Sequence, residues 1–411
     1  MTRPRKAFLG AAVSAALMLV LSSCGGGSAG GKVADSIETM DPITLTYTSV
    51  SAEKSAGALN FEVFAKEVEE KTGGKIRFEQ YFNGSLLPGD ETLEGIGSGV
   101  ADAGFVMPSY YPQKMALGNW IMDLGSMPSN DIPHGMLAGS AAIQELQNDS
   151  DVLKEWSGHN IKVLNISQPG VGNALLCTKP IDSVEAAKGT RVRSGGGVWN
   201  AEIEAMGMVS VQVPAPETYE ALQRGVVDCI TAAPSTLMGY GWWDVAKHFI
   251  PVSMSAFNSS AQVINLEVWN SLPPDAQAVI TEAAHRWFVG VTQEVLQNYA
   301  RFATEGPAKH GIVFHDPTPL DALLKQHQEK FIAAKVASPP PGLADPQGLV
   351  DKYRALLDKW MAKTTEALGT PPPPRDPAAI TESYIKGGDL DLSRFLEITG
   401  KELFPLPPNT R

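Results

Sequence analysis

The sequence predicts an α/β fold built on parallel sheet, and three observations predict it. Residues 186–230 alternate strand and helix patterns. β-Branched residues cluster or alternate at 190–193, 209–213 and 226–230. Between the first two, Trp199, Ile203 and Met206 stand at i, i+4 and i+7 on one helical face. Alternating elements of this length imply βαβ units, whose ligands gather at the carboxyl ends of strands. Second, the succession helix, Gly99-Val100-Ala101-Asp102, strand recurs as helix, Gly225-Val226-Val227-Asp228, strand. This is either one plan used in two lobes or the common habit of glycine-capped helices feeding apolar strands. Third, 411 residues with 43% hydrophobic and 19% charged side chains are enough for two lobes of an ordinary globular protein.

The chain opens with a targeting pattern. Arg3, Arg5 and Lys6 precede an apolar run at 7–21, of signal-peptide length and short for a membrane span. Leu21-Ser22-Ser23-Cys24 reads as a bacterial lipobox, whose cysteine is lipidated and becomes the first residue; the bland alternative is an ordinary signal with an incidental cysteine. The glycine- and serine-rich 25–31 behind it suits a flexible tether. Residues 26–30 also spell G-x-S-x-G, but a nucleophile elbow needs a strand before and a helix after, and neither pattern is there. Residues 1–23 carry three cations and no acids, so their loss moves the formal charge from −12 to −15. That acidic balance argues against nucleic acid and against broad binding to anionic lipid. No second apolar run reaches spanning length.

Residues 43–47 alternate as a strand and lead to the polar 48–51. Phe61, Phe64, Ala65 and Val68 keep helical spacing, closed by Gly73-Gly74. A strand at 75–81, a helix at 88–98 and a strand at 103–106 follow. Residues 108–133, rich in Pro, Gly and Met, read as loop; 134–156 as one helix; 161–166 as the strand that crosses between lobes. Gly170-Val171-Gly172 lacks the third glycine and the helix of a dinucleotide fingerprint. A second helix of the 186–230 stretch starts at Pro216 and stops at Gly225. A long helix runs over 272–309 from Leu-Pro-Pro-Asp. Proline runs at 339–341 and 371–374 bracket an amphipathic helix at 349–363. The tail beyond 371 either packs a helix around 390–402 or dangles.

Chemistry-bearing residues are sparse. With Cys24 assigned to lipid, Cys177 and Cys229 remain, free to oxidise outside the cytoplasm. There is no C-x-x-C and no H-E-x-x-H, and the seven histidines show no metal-ligand spacing beyond His310 and His315 around Gly311. No metal or cofactor is expected. Arg193 ends a predicted strand directly before glycines 195–197, which open a helix. A guanidinium beside a helix amino terminus suits a carboxylate, and a surface salt bridge is the alternative.

Lys188-Gly189-Thr190-Arg191-Val192-Arg193, and later Glu217-Thr218-Tyr219-Glu220-Ala221-Leu222-Gln223-Arg224-Gly225-Val226-Val227-Asp228, resemble the substrate-binding subunits of tripartite ATP-independent periplasmic (TRAP) transporters, the C4-dicarboxylate-binding-like family. The family pattern is "lkGlkiRvp" followed by "sEvYtALqrGvvDg". Val268-Trp269-Asn270-Ser271-Leu272-Pro273-Pro274 also resembles a family motif, and the likeness extends more loosely over about 43–360. It implies a two-lobed, type II-like periplasmic binding protein with a hinge and a long connecting helix, and it makes the repeated Gly-Val-x-Asp a shared plan. The implied domains are a lipoprotein signal at 1–24, a tether at 25–41, lobe I at 42–167 completed by about 252–290, lobe II at 168–251 completed by about 291–370, and an extension at 371–411 beyond the family's usual length.

The resemblance also assigns residues. The arginine matching Arg193 grips the ligand carboxylate in that family. Members that bind sugar acids or dicarboxylates often carry a second arginine where this chain has Asn173. Ser49, Phe105, Met107, Trp199, Ala215 and Ala232 align near the pocket, with Trp242 and Trp243 close by in sequence. These poorly charged walls suggest a monocarboxylate with an apolar body, such as an aromatic, branched-chain or 2-oxo acid. Cys177 and Cys229 fall on strands of one small sheet, as a disulfide or as two buried thiols. The implied function is an extracytoplasmic, lipid-anchored protein that captures a small organic acid, closes over it and delivers it to TRAP membrane subunits, without catalysis. The alternatives are a binding protein of another importer class or a ligand-sensing partner of a membrane receptor. An extracytoplasmic hydrolase or lyase lacks any recognisable nucleophile–base pairing here.

Overall fold

In a computed structural model, the described residues are 34–51, 53, 56–166, 173–194, 198–213, 217–256, 259–374 and 376–406. Along the chain, β1 (Ile43–Thr48), α1 (Ala56–Lys71), β2 (Ile76–Tyr81), α2 (Thr92–Gly97) and β3 (Ala103–Val106) make two βαβ steps. α3 (Ala116–Met122), α4 (His134–Leu146) and α5 (Ser150–Gly158) lead to β4 (Ile161–Ile166). β5 (Ala174–Cys177) and α6 (Val184–Ala187) precede a second pair of βαβ steps: β6 (Arg191–Ser194), α7 (Val198–Ala205), β7 (Val209–Gln212), α8 (Thr218–Gln223) and β8 (Cys229–Ala232). Next come α9 (Pro234–Gly239), β9 (His248–Ile250), β10 (Ala261–Asn265), α10 (Leu266–Ser271), α11 (Pro274–Glu305), β11 (Val313–Phe314) and α12 (Thr318–Ala337). α13 (Pro346–Leu368), α14 (Pro377–Gly387) and α15 (Ser393–Leu403) complete the set.

The strands form two mixed sheets, ordered β2-β1-β3-β10-β4 and β11-β9-β5-β8-β6-β7. In the first, β1 runs parallel to β2 and β3, and β10 antiparallel to β3 and β4. In the second, β6 runs parallel to β7 and β8, and β5 antiparallel to β8 and β9. The repeated Gly-Val-x-Asp does the same work in each. Gly99 (φ 82°) and Gly225 (φ 66°) take the left-handed turn that ends the helix. The amides of Val100 and Val226 then bond back to Gly95 and Ala221, at 2.8 Å in both cases. Asp102 pairs reciprocally with Thr46, its carboxylate accepting that amide at 2.7 Å. Asp228 pairs the same way with Arg191, whose guanidinium it also holds. By this equivalence Thr48 of β1 corresponds to Arg193 of β6.

The 32-residue α11 ties the sheets together. Trp287 packs in a cluster with Tyr47, Phe61 and Phe64 beside the first sheet. Phe302 packs on Phe249 and Phe314 of the second. At 1.5 Å per residue these two rings lie about 22 Å apart along one rigid rod. The fold is therefore a mixed α/β, two-sheet architecture with a helical connecting element.

Several boundaries differ from the sequence reading, each for a long-range reason. Residues 108–133 are not all loop: α3 forms because the Glu155 carboxylate of α5 accepts the amides of Leu117 and Gly118 at 2.8 and 2.7 Å. The helix expected over 134–156 breaks into α4 and α5, where Asp149 caps the new start by accepting the Asp151 amide. The helix expected from 88 starts at Thr92, since the Glu91 amide bonds to Pro88 in a turn. The strand expected from 226 begins at Cys229, because Val226 and Val227 still bond back to Ala221. The long helix ends at Glu305 in a π-helical turn, Gly306–His310, containing Pro307. α12, which carried no strong pattern, is an addition. Beyond 371 the chain packs two helices, α14 and α15.

Candidate functional site

Arg193 stands on the second sheet near the carboxyl end of β6, opposite Ile230 of β8. Its Nε donates to the Val213 carbonyl, just past β7, at 2.9 Å. Its guanidinium carbon lies 5.6 Å from the centre of the Trp242 ring, within cation–π range. Trp242 is fully buried and stacks on Tyr240 at 5.0 Å and 12°. Gly241 between them takes a left-handed φ of 67°, which lets both rings turn to one side. Burial pulls the guanidinium below its ordinary pKa, with the charge of Tyr240 opposing the shift; an arginine stays cationic throughout the physiological range. Among the described residues no carboxylate pairs with it. A part-buried cation held by a carbonyl and a ring keeps its full charge for an anion.

The other predicted positions are spread over both sheets. Asn173 is buried immediately before β5, and Ala232 ends β8, where it pairs with Ala174. Both thus lie on the sheet that carries Arg193. Trp199, on α7, is buried with its indole N–H donated to the Ser255 carbonyl at 2.8 Å. Ser49, Phe105 and Met107 belong to the first sheet: Ser49 follows β1, Phe105 is on β3 opposite Gln262, and Met107 follows β3. The Ser49 hydroxyl accepts the Ser51 amide at 3.1 Å. Trp243 is core, stacked on His310 at 3.7 Å. Cys24 and Ala215 lie outside the described residues. Cys177 and Cys229 face each other across β5 and β8 and form a disulfide.

Sequence reasoning missed the polar set around residues 251–256, the passage that leads from β9 of the second sheet toward β10 of the first. Glu202 of α7, fully buried, accepts from the Ser255 amide at 3.0 Å, the Ser255 hydroxyl at 2.7 Å and Gln328 of α12 at 2.7 Å. Burial raises the Glu202 pKa, and the hydrogen bonds from Ser255 and Gln328 oppose the rise. Asp321 of α12 accepts the Ser253 amide at 2.7 Å, and Gln328 also donates to the Ser253 carbonyl. On the other side, Asn130 donates to the Met254 carbonyl at 3.1 Å. The only local hint was a glutamate on the apolar face of α7, one residue before Ile203. Among the described residues no three metal-ligating side chains cluster, and no helix is long and apolar enough to cross a membrane.

Comparison with known proteins fits this architecture. The C4-dicarboxylate-binding protein DctB of Bacillus subtilis is 26% identical over 247 residues, 59% of this chain and 67% of that one. A monocarboxylate 2-oxoacid-binding periplasmic protein of Nostoc is 25% identical over 262 residues, 56% of this chain and 62% of that protein. A marine metagenome TRAP solute-binding protein specific for pyroglutamate, from an unidentified microbe, superposes with a TM-score of 0.62 at 22% identity, over 77% of this chain and all of that one; at that identity the likeness shows the fold. Residues 47–332 match the bacterial extracellular solute-binding protein family 7, DctP, and the chain belongs to that family of TRAP substrate-binding proteins.

Proposed function

We propose that this protein captures a small monocarboxylate with a substantially apolar body outside the cytoplasm and hands it to the membrane subunits of a TRAP transporter. The observation that carries the reading is Arg193: a part-buried guanidinium, near the carboxyl end of a strand flanked by two parallel strands, without an acidic partner among the described residues. Related proteins named for dicarboxylates, 2-oxo acids and pyroglutamate share a carboxylate as their common element. Asn173 in place of a second arginine, with Phe105, Met107, Trp199, Ala215 and Ala232 as the weakly charged positions that the family resemblance implies for the pocket, favours one carboxylate over two. A neutral amide cannot balance a second buried charge. Ser49 offers the first lobe's hydroxyl. Closure then follows from contacts that only the closed form supplies from both sides.

A thermal-shift screen of residues 32–411 against carboxylic acids tests the ligand class; a ligand at about 100 times its Kd adds roughly 2.7 kcal/mol. Malate or succinate binding at least tenfold more tightly than every aromatic, branched or 2-oxo monocarboxylate would overturn the preference. Arg193→Ala should weaken the best hit by about 2–5 kcal/mol, and Arg193→Lys should not restore it fully because the bidentate fork is lost. Affinity of the alanine variant within threefold of wild type would sink the clamp.

The lipobox reading of Cys24 makes the mature protein a lipoprotein held to the membrane by its acyl chains alone. Cys24→Ala should release folded, ligand-competent protein. Retention of that variant in salt-washed membranes would require another anchor.

A further inference from the structure

Trp242 occupies an unusual place for a wall of a ligand pocket. It has no exposed surface. One neighbour of its ring is the Arg193 guanidinium, 5.6 Å away. Another is the Tyr240 ring, stacked at 5.0 Å. Its indole N–H is buried without a hydrogen-bond partner among the described residues, so they do not hold the ring by its polar edge. What the site gains from a tryptophan rather than an aliphatic residue is therefore its π face.

The guanidinium has five N–H donors in a planar fork. The Nε–H is committed to the Val213 carbonyl at 2.9 Å. Neither Nη hydrogen-bonds to any of the described residues. Both restraining partners, a carbonyl oxygen and an aromatic quadrupole, are uncharged. They offset desolvation of the cation without neutralising it, which a carboxylate in the same place would do. The remaining fork geometry matches a single planar carboxylate.

Resting on the reading of Arg193 as the carboxylate clamp, we propose that Trp242 is a positioning residue: it acts on the ligand through Arg193, by fixing the guanidinium plane, and makes no contact with the ligand's body. Tyr240, turned by Gly241, backs the ring. A wall residue and a positioning residue differ in how their losses combine. A wall contributes whether or not the arginine is present; a positioning residue contributes nothing once the arginine is gone.

The test uses the mature chain with Trp242→Phe, Trp242→Leu, Arg193→Ala and the Leu/Ala double variant. Calorimetry with benzoate and 3-methyl-2-oxobutanoate reads affinity, and the Arg193 Nε–H resonance, assigned by its loss in Arg193→Ala, reads side-chain placement. Trp242→Phe retains a π face and removes an unpaired buried donor, so affinity should stay within about threefold of wild type. Trp242→Leu should weaken binding about three- to thirtyfold and speed exchange of the Nε–H with solvent. In the Arg193→Ala background it should change affinity less than twofold. Unchanged solvent exchange of the Nε–H in Trp242→Leu, or losses that simply add in the double variant, overturns the proposal. If Arg193→Ala leaves affinity unchanged, the clamp reading fails instead. If neither acid binds, the resonance alone decides the role of Trp242.

Discussion

His285 shows how one side chain can set an acid limit on this fold. Its Nε2 lies 2.9 Å from the Thr399 hydroxyl, which itself donates to the Phe395 carbonyl at 2.8 Å, so the imidazole is the donor. Phe404 packs on the ring at 4.9 Å, and Gly400 sits so close that a Cβ there would meet Cε1 at 2.8 Å. Burial first, then the charge of Arg286, lower its pKa to about 4, with Glu282 opposing. The folded pKa lies below the unfolded value near 6.5, so the unfolded chain binds the extra proton between the two. Stability from this residue is complete above about pH 6.5 and drains away as pH falls toward 4, by about 2 kcal/mol once partial exposure is discounted. His285→Gln keeps a donor for Thr399 and removes the titration. Urea midpoints at pH 7.5 and 4.5 should fall less for this variant than for wild type; equal falls would refute the assignment. The same scale explains what was readable at the site. Arg193 could be singled out because a strand end before glycines is a local pattern. Val213, Tyr240 and Ser255 could not, since their contacts depend on which strands and helices come to lie together.

At the scale of elements, the passage at 251–256 is held harder on one side than on the other. Glu202, Asp321, Gln328 and Trp199 all bind it from α7 and α12, while Asn130 and the Gly125 carbonyl meet it from the other side. Bending should therefore concentrate away from Ser253 and Ser255. Glu202→Ala would leave the Ser255 amide and hydroxyl without their acceptor, at a cost of about 2–3 kcal/mol. Hydrogen exchange should show faster exchange of the Ser255 amide in that variant; unchanged protection with unchanged stability would argue that water replaces the carboxylate. Strand 161–166 was legible to the residue because its β-branched Ile161, Val163 and Ile166 are a local signal, and 103–106 because it follows the Gly99–Asp102 turn. Helices were less so. α3 needs Glu155 from α5, and α5 needs a break that only the Asp149 cap marks. α12 has polar and apolar residues nearly evenly around its axis, and only Leu320 and Leu324 are buried in the core.

For the whole molecule, the decisive feature is the interleaving of the chain between the sheets. The first sheet draws on residues 43–166 and then on β10 at Ala261–Asn265, which lies between β3 and β4. Without β10, β4 has no hydrogen-bonded neighbour in that sheet. The second sheet likewise waits for β11 and for Phe302 of α11. α13 adds to the first half: it lies along α4, with Trp360 donating to Glu145 at 2.6 Å. A fragment ending at residue 260 should stay protease-sensitive and unfold without cooperativity, whereas the chain through 406 should be resistant; a resistant, cooperatively melting fragment would contradict this. The consequence reaches back to synthesis. Domains usually fold as they emerge, amino-terminal part first, but here the amino-terminal sheet lacks a central strand until residue 265 has been made. More than half of the polypeptide must exist before either half can lock, so a long stretch of nascent chain stays pliable until its late partners are made.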